Sequence, residues 1–276
     1  MQLPVTLGLV RTSRIRPRLA GLLHLLAGVG LWLGEGTMTD LLVDNSITAT
    51  AANVLKHRTE YTAMFAFNLL SVAFMVAALP LLREIVRPVN ERLARLAVNY
   101  GLVACAVQSV LNVFLYAALA LIDGTPYRDA FRPVEFQAIA HLCMSLFGTG
   151  MFVALVFFGL FSTVLGYLVF TSTFLPRALG VVVGIAGFSW VMMVLVPSLL
   201  GPIGPYVLVA SLIGPPSLGI WLLAKGVNKE RWNQRAGGGR HDQPPDGPPD
   251  VDIDLPMTEA LALASGNITS RPKLVK

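Results

Sequence analysis

Charge is what this sequence has least of. Asp, Glu, Lys and Arg make up 13% of its 276 residues, where a soluble domain carries about 25%. A charged side chain deep in hydrocarbon costs about 2.5–3.5 kcal/mol on insertion scales, so one retained there points to function. No Asp, Lys or Arg falls near the centre of any long apolar run. That argues against a proton- or sodium-coupled transporter and against a voltage sensor. Glu35 stands at the end of the first run, where it is expected to reach the headgroups. Cysteine is equally sparse. Cys105 and Cys143 lie in or beside apolar segments with no C-x-x-C spacing, and they read as free thiols.

Histidine is limited to His24, His57, His141 and His241. A membrane haem needs an axial pair on two facing spans. Only His24 and His141 are placed for one, and packing histidines are the competing reading. The chain has no H-E-x-x-H, no G-x-S-x-G and no phosphate-binding glycine loop. No Ser–His or Asp–Asp set for intramembrane proteolysis can be assembled. No catalytic residue, metal ligand or cofactor is therefore expected.

What the chain does have is long greasy runs. Phe147–Phe170 and Ala178–Val196 are two of them, joined by Thr171-Ser-Thr-Phe-Leu-Pro-Arg177. Runs of about 20 apolar residues around such a turn read as a transmembrane helical hairpin. Hydrophobic residues total 54%, concentrated in runs that a soluble core does not need. The fold class is therefore all-α, a polytopic bundle of six spans in a lipid bilayer. The net charge of +5 sits beside the runs, where it orients a chain in a membrane. It is not a nucleic-acid footprint.

Taken in order, residues 1–18 form a basic N-terminus with Arg11, Arg14, Arg16 and Arg18. The apolar run Leu19–Gly34 follows. A basic start and a short apolar core can mark a cleaved signal peptide, but Gly34-Glu35-Gly36-Thr37 is a poor cleavage site, which favours an uncleaved first span. Asp44, Asn45 or Ser46 can cap a helix starting near Ile47. Ile47, Ala51, Val54 and Leu55 share one face of it, so it either lies on the membrane surface or packs as a loop helix. The second span is about Tyr61–Leu82 and the third about Leu93–Ile122. Residues 136–147 read as a membrane-edge helix, with Gly148 and Gly150 as a joint before the fourth span. The fifth is about Ala178–Leu199. The sixth, about Gly204–Ala224, holds Pro215 and Pro216, which should kink or break it. The spanning domain thus covers 19–225. Residues 226–276 are basic, then rich in Pro and Asp, and read as a disordered tail. The tail's Asn267-Ile-Thr269 matches a glycosylation sequon, expected to be unused on the cytoplasmic side.

Loop charge gives an orientation. Lys and Arg number 4 in residues 11–18, 2 in 35–60, 4 in 83–95, 2 in 123–136, 1 in 171–177, 0 in 200–205 and 5 in 225–240. High and low values alternate as six spans require. Both termini come out cytoplasmic, in a cell membrane.

The polar content of the spans is neutral. Gly101, Cys105, Gln108 and Asn112 follow at helical spacing and stripe one face of the third span, while Asn68 and Ser71 lie midway along the second. Such amides either hydrogen-bond between helices or line a cavity for a neutral or amphipathic ligand. Asn68, Gln108, Asn112, Pro215 and Pro216 are the candidate ligand-binding residues, since a broken helix at mid-membrane can mark a site. Gly159, Gly166, Gly180 and Gly184 are candidates for close helix packing.

Phe157-Phe-Gly-Leu160, Leu165-Gly-Tyr-Leu168 and Phe174-Leu-Pro-Arg-Ala-Leu-Gly-Val181, with Gly187 beyond, resemble the domain-of-unknown-function 4386 family. Leu19-Ala-Gly-Leu-Leu23 and Thr50-Ala-Ala-Asn-Val54 are similar too. The resemblance covers roughly 14–225. It implies a multi-span, mostly bacterial membrane protein with no established activity. It also implies ionisable groups that this chain lacks: an aspartate where Asn68 stands, arginines at Thr62 and Gly101, and a histidine at Phe147. An activity that depends on them would be missing here.

Three functions follow as expectations. One is a non-enzymatic protein that packs with itself or a membrane partner. The second is a carrier or binder of a neutral or lipid-like molecule. A membrane enzyme is the third, and it has no visible nucleophile, base or metal set.

Overall fold

The computed structural model describes residues 16–41, 46–123, 132–196 and 200–238. Among them all regular structure is helical: α1 (Pro17–Leu41), α2 (Ile47–Lys56), α3 (Arg58–Val86), α4 (Glu91–Asp123), α5 (Pro133–Thr171), α6 (Arg177–Leu195), α7 (Leu200–Ala224) and α8 (Lys229–Gly238). The basic stretch 1–15 and the expected disordered segment beyond Gly238, with its sequon, lie outside the described residues.

Local chemistry sets most boundaries. The Ser46 hydroxyl accepts from the Ala49 N–H at 3.2 Å and starts α2. Asn90 accepts from the Leu93 N–H at 3.0 Å and starts α4. The Arg132 N–H and the Glu135 carboxylate, 2.9 Å apart, open α5, with Pro133 in its first turn. Gly226, at φ 70°, ends α7 in the left-handed conformation that a side chain disfavours.

Among the described residues five helices, α1 and α3 to α6, are long and apolar enough to cross a membrane. Within α7 the stretch Ile213–Ala224 is a shorter apolar helix. The whole of α7 spans about 38 Å at 1.5 Å per residue. Most of each apolar stretch faces outward. Val110, Val113 and Leu195 are each more than 60% exposed, a surface that only hydrocarbon can solvate. The chain is an integral membrane protein built as a helical bundle.

The spanning helices form a closed ring. α3 packs on α1, α4 on α3, α5 on α4, α6 on α5 and α7 on α6, and α7 returns to α1. Glycines set the closest approaches. A Cβ on Gly166 would come within 2.4 Å of the Gly184 nitrogen and 2.7 Å of the Gly180 oxygen. One on Gly159 would meet the Gly187 oxygen at 2.7 Å. So α5 and α6 touch backbone to backbone. Gly21 and Gly219 do the same for α1 and α7.

Several local expectations change. α1 runs past Gly34 to Leu41, so Glu35 lies within the helix. It is half-buried, with its Oε1 screened from solvent, and it closes the apolar stretch Pro17–Glu35, as expected. α5 is one helix of 39 residues, about 58 Å long, with no joint at Gly148 and Gly150. Helical hydrogen bonding needs no side chain there, and Leu111 of α4 fills the notch at Gly150. α7 passes through Pro215 and Pro216 without a break. α2 buries Thr50, Ala51 and Val54 and packs on α5 and α4, the packed alternative of the two. Beyond the last span, Lys229–Gly238 of the expected tail is helical, as α8. Both cysteines are free thiols.

Candidate functional site

Two apolar clusters fill the ring. One gathers Val72, Met75 and Leu79 of α3 with Phe161, Leu165 and Leu168 of α5. The other gathers Val54 of α2, Tyr61 and Met64 of α3, Leu111 and Leu115 of α4, and Phe147 of α5. Asn68 lies between Met64 and Val72 on α3, Gln108 lies between Cys105 and Leu111 on α4, and Asn112 follows Leu111.

The spacing of four between Gln108 and Asn112 puts both on one face of α4, and α3 brings Asn68 against it. Asn68, Gln108 and Asn112 are 0%, 1% and 2% exposed. The Gln108 Nε2 donates to the Asn68 Oδ1 at 3.5 Å. Asn68 donates in turn to the Met64 carbonyl at 3.3 Å. The Asn112 Nδ2 donates to the Gln108 carbonyl at 2.9 Å. One acceptor remains. The Asn112 Oδ1 is buried and has no hydrogen-bond partner.

α1 closes the third side. A Cβ on Gly34 would come within 2.2 Å of the Asn68 Nδ2, so the missing side chain makes room for the amide. One turn along α3, the Ser71 hydroxyl donates to the Ala27 carbonyl at 2.7 Å and ties α3 to α1. The three amides carry no charge at any physiological pH. The cluster can hold a molecule by hydrogen bonds but offers it no acid, base or nucleophile.

Pro215 and Pro216 do not join this cluster. Pro215 meets α1 further along, where the His24 ring donates to its carbonyl. His24 and Gly34 are about 15 Å apart along α1 at 1.5 Å per residue. The His24 Nδ1 is buried without a partner, which leaves Nε2 as the donor. Beside it, the Ser217 hydroxyl donates to the Gly214 carbonyl at 2.6 Å.

The close-packing glycines are all used inside the chain, in the α5–α6 seam. Gly187 completes this seam, and Gly34 makes a close contact of its own between α1 and α3. A glycine's partner on another helix has no local signature, although Gly187 lies two turns from Gly180 on one face of α6.

Residues 19–226 match the model of a family described as Domain of unknown function (DUF4386). No curated protein and no solved structure matches the chain.

Proposed function

The chain belongs to the DUF4386 family, whose description assigns no activity, and from the site's own chemistry we propose that it binds a small neutral molecule inside the membrane without transforming it. The observation that carries this reading is the Asn112 Oδ1, a buried acceptor with no partner at the end of a chain of amides. An unpaired polar atom away from water costs about 1–3 kcal/mol. A ligand hydroxyl or amide N–H arriving at Asn112 would recover that cost. The apolar clusters on either side suit a molecule that is mostly hydrocarbon with one or two donors.

The other reading, packing against a second copy or a membrane partner, rests on the lack of buried charge, the basic-then-acidic tail and the close-approach glycines. Those contacts are made between α5 and α6 of the same chain, so they do not favour it.

We infer further that both termini face the cytoplasm. The support is the Lys and Arg excess at alternate loops. Reporter fusions after Ala236 and within residues 124–131 test this by reporting opposite sides.

The binding test is thermal. The purified chain is screened for stabilisation by neutral alcohols, amides and sterol-like compounds, and by charged ones. Neutral donors should raise the unfolding temperature of the native chain and lose that effect in Asn112→Leu. If no neutral donor stabilises the native chain while Asn112→Leu is itself more stable, the amides serve packing alone and the proposal falls.

A further inference from the structure

Eleven Lys and Arg against three Glu stand in residues 16–18, 83–95, 172–177 and 225–236. The fold brings these four segments to one end of the bundle. The Trp232 indole of α8 donates to the Ile85 carbonyl at the end of α3. Arg231 donates to the Thr173 carbonyl, and the Asn228 N–H to the Phe174 carbonyl, in the α5–α6 turn. Pro17, at the start of α1, lies beside Gly226.

Only part of this charge is neutralised there. Glu91 pairs with Arg83 and reaches Arg87 and Arg95. Arg92, Arg177, Lys225, Lys229, Arg231 and Arg235 are exposed. At the other end the pairing is local, Arg132 with Glu135 and His57 with Glu60.

Depth identifies the partner. Arg177 is the first residue of α6 and Lys225 follows the last of α7, so both sit where a span leaves hydrocarbon. Lys225 lies 4.5 Å from the centre of the Trp221 ring. α8 is held across this end by a buried tryptophan, with its basic residues outward. A short basic helix pinned at the interface is how proteins engage anionic headgroups. We propose that Arg177, Lys225 and Arg231 form a site for the phosphate of an anionic phospholipid. Arg231 is partly oriented already by Thr173, and the two other cations stand at the ends of the adjoining spans. Arginine offers a phosphate two parallel donors, and Lys225 adds a point charge.

The test uses the full chain in bilayer discs of phosphatidylcholine containing a minority of phosphatidylglycerol. Lipid retained by the protein is read by native mass spectrometry. The native chain should retain phosphatidylglycerol in preference to phosphatidylcholine. The triple variant Arg177→Gln, Lys225→Gln, Arg231→Gln should lose that preference by about tenfold or more, at about 1 kcal/mol per basic residue near such a surface. Arg132→Gln, at the other end, should keep it. Circular dichroism and elution volume establish that each variant is folded. Equal retention of both lipids by the native chain, or equal loss in Arg132→Gln, would show cations that only orient the chain and would overturn the site. Should the triple variant not fold, Lys225→Gln alone must still lower the preference, and no change in it overturns the site.

Discussion

The indole N–H of Trp232 donates to the carbonyl of Ile85 at 2.9 Å, across 147 residues of sequence. It fastens α8 to the end of α3, and Trp232 is only 6% exposed. The Ile85 carbonyl lies in the last turn of α3, where helix carbonyls run out of backbone donors.

Trp232→Phe keeps most of the ring's bulk and removes the donor. A buried carbonyl left without its partner costs about 1–3 kcal/mol. We expect the unfolding temperature in detergent to fall and proteases to cut between Lys225 and Lys229. Trp232→Ala should fall further, because the packing goes too. An unchanged unfolding temperature in Trp232→Phe would mean the bond contributes nothing.

The α5–α6 seam separates two glycines on one helix. Gly166→Ala places a methyl 2.4 Å from the Gly184 backbone nitrogen. Backbone cannot step aside as a side chain can, so the helices must part, at about 1–3 kcal/mol. Gly148→Ala meets nothing within 4 Å and should stabilise by up to about 1 kcal/mol through helix propensity. Thermal unfolding of the two variants should therefore move in opposite directions. A shared direction would place the seam elsewhere.

Gly34 and Asn68 make a coupled pair. Gly34→Ala drives a methyl to 2.2 Å from the Asn68 amide and should displace it from Gln108. Asn68→Ala removes the amide and leaves Gln108 short of a partner. Each single change should destabilise. The double variant should be less damaged than the sum, by about 0.5–3 kcal/mol, the range for residues in contact. Additive losses would mean that α1 does not bear on the amide cluster.

The bundle was legible because hydrocarbon imposes a coarse rule: about 20 apolar residues with their backbone closed on itself. The neutral stripe Gln108–Asn112 was legible for a similar reason, since helical spacing alone puts both on one face. The joint at Gly148 and Gly150 was misplaced. A glycine inside a helix costs about 1 kcal/mol, too little to break a long helix packed along its length. The expected kink or break does not interrupt α7 at Pro215 and Pro216. Their missing N–H groups leave two carbonyls one turn back without a helical donor, but α1 and α6 pack along the helix and hold it. α8 was hidden in a basic, glycine-flanked stretch. Its one apolar anchor, Trp232, has meaning only beside Ile85. Local composition reveals a span, whereas a tertiary partner has no sign in the segment that needs it.

His24 gives the sharpest test of what ties α1 to α7. The ring is 9% exposed and donates to the Pro215 carbonyl. No water reaches that depth to replace it. His24→Leu keeps the apolar volume and removes the donor, so α7 should lose about 1–3 kcal/mol. His24→Gln retains an N–H on a flexible arm and should restore part of the loss. Amide exchange along Ile213–Ala224 should rise in His24→Leu and return towards native in His24→Gln. If both variants exchange alike and as slowly as the native chain, the carbonyl is served from within α7, and His24 merely fills space beside Gly21.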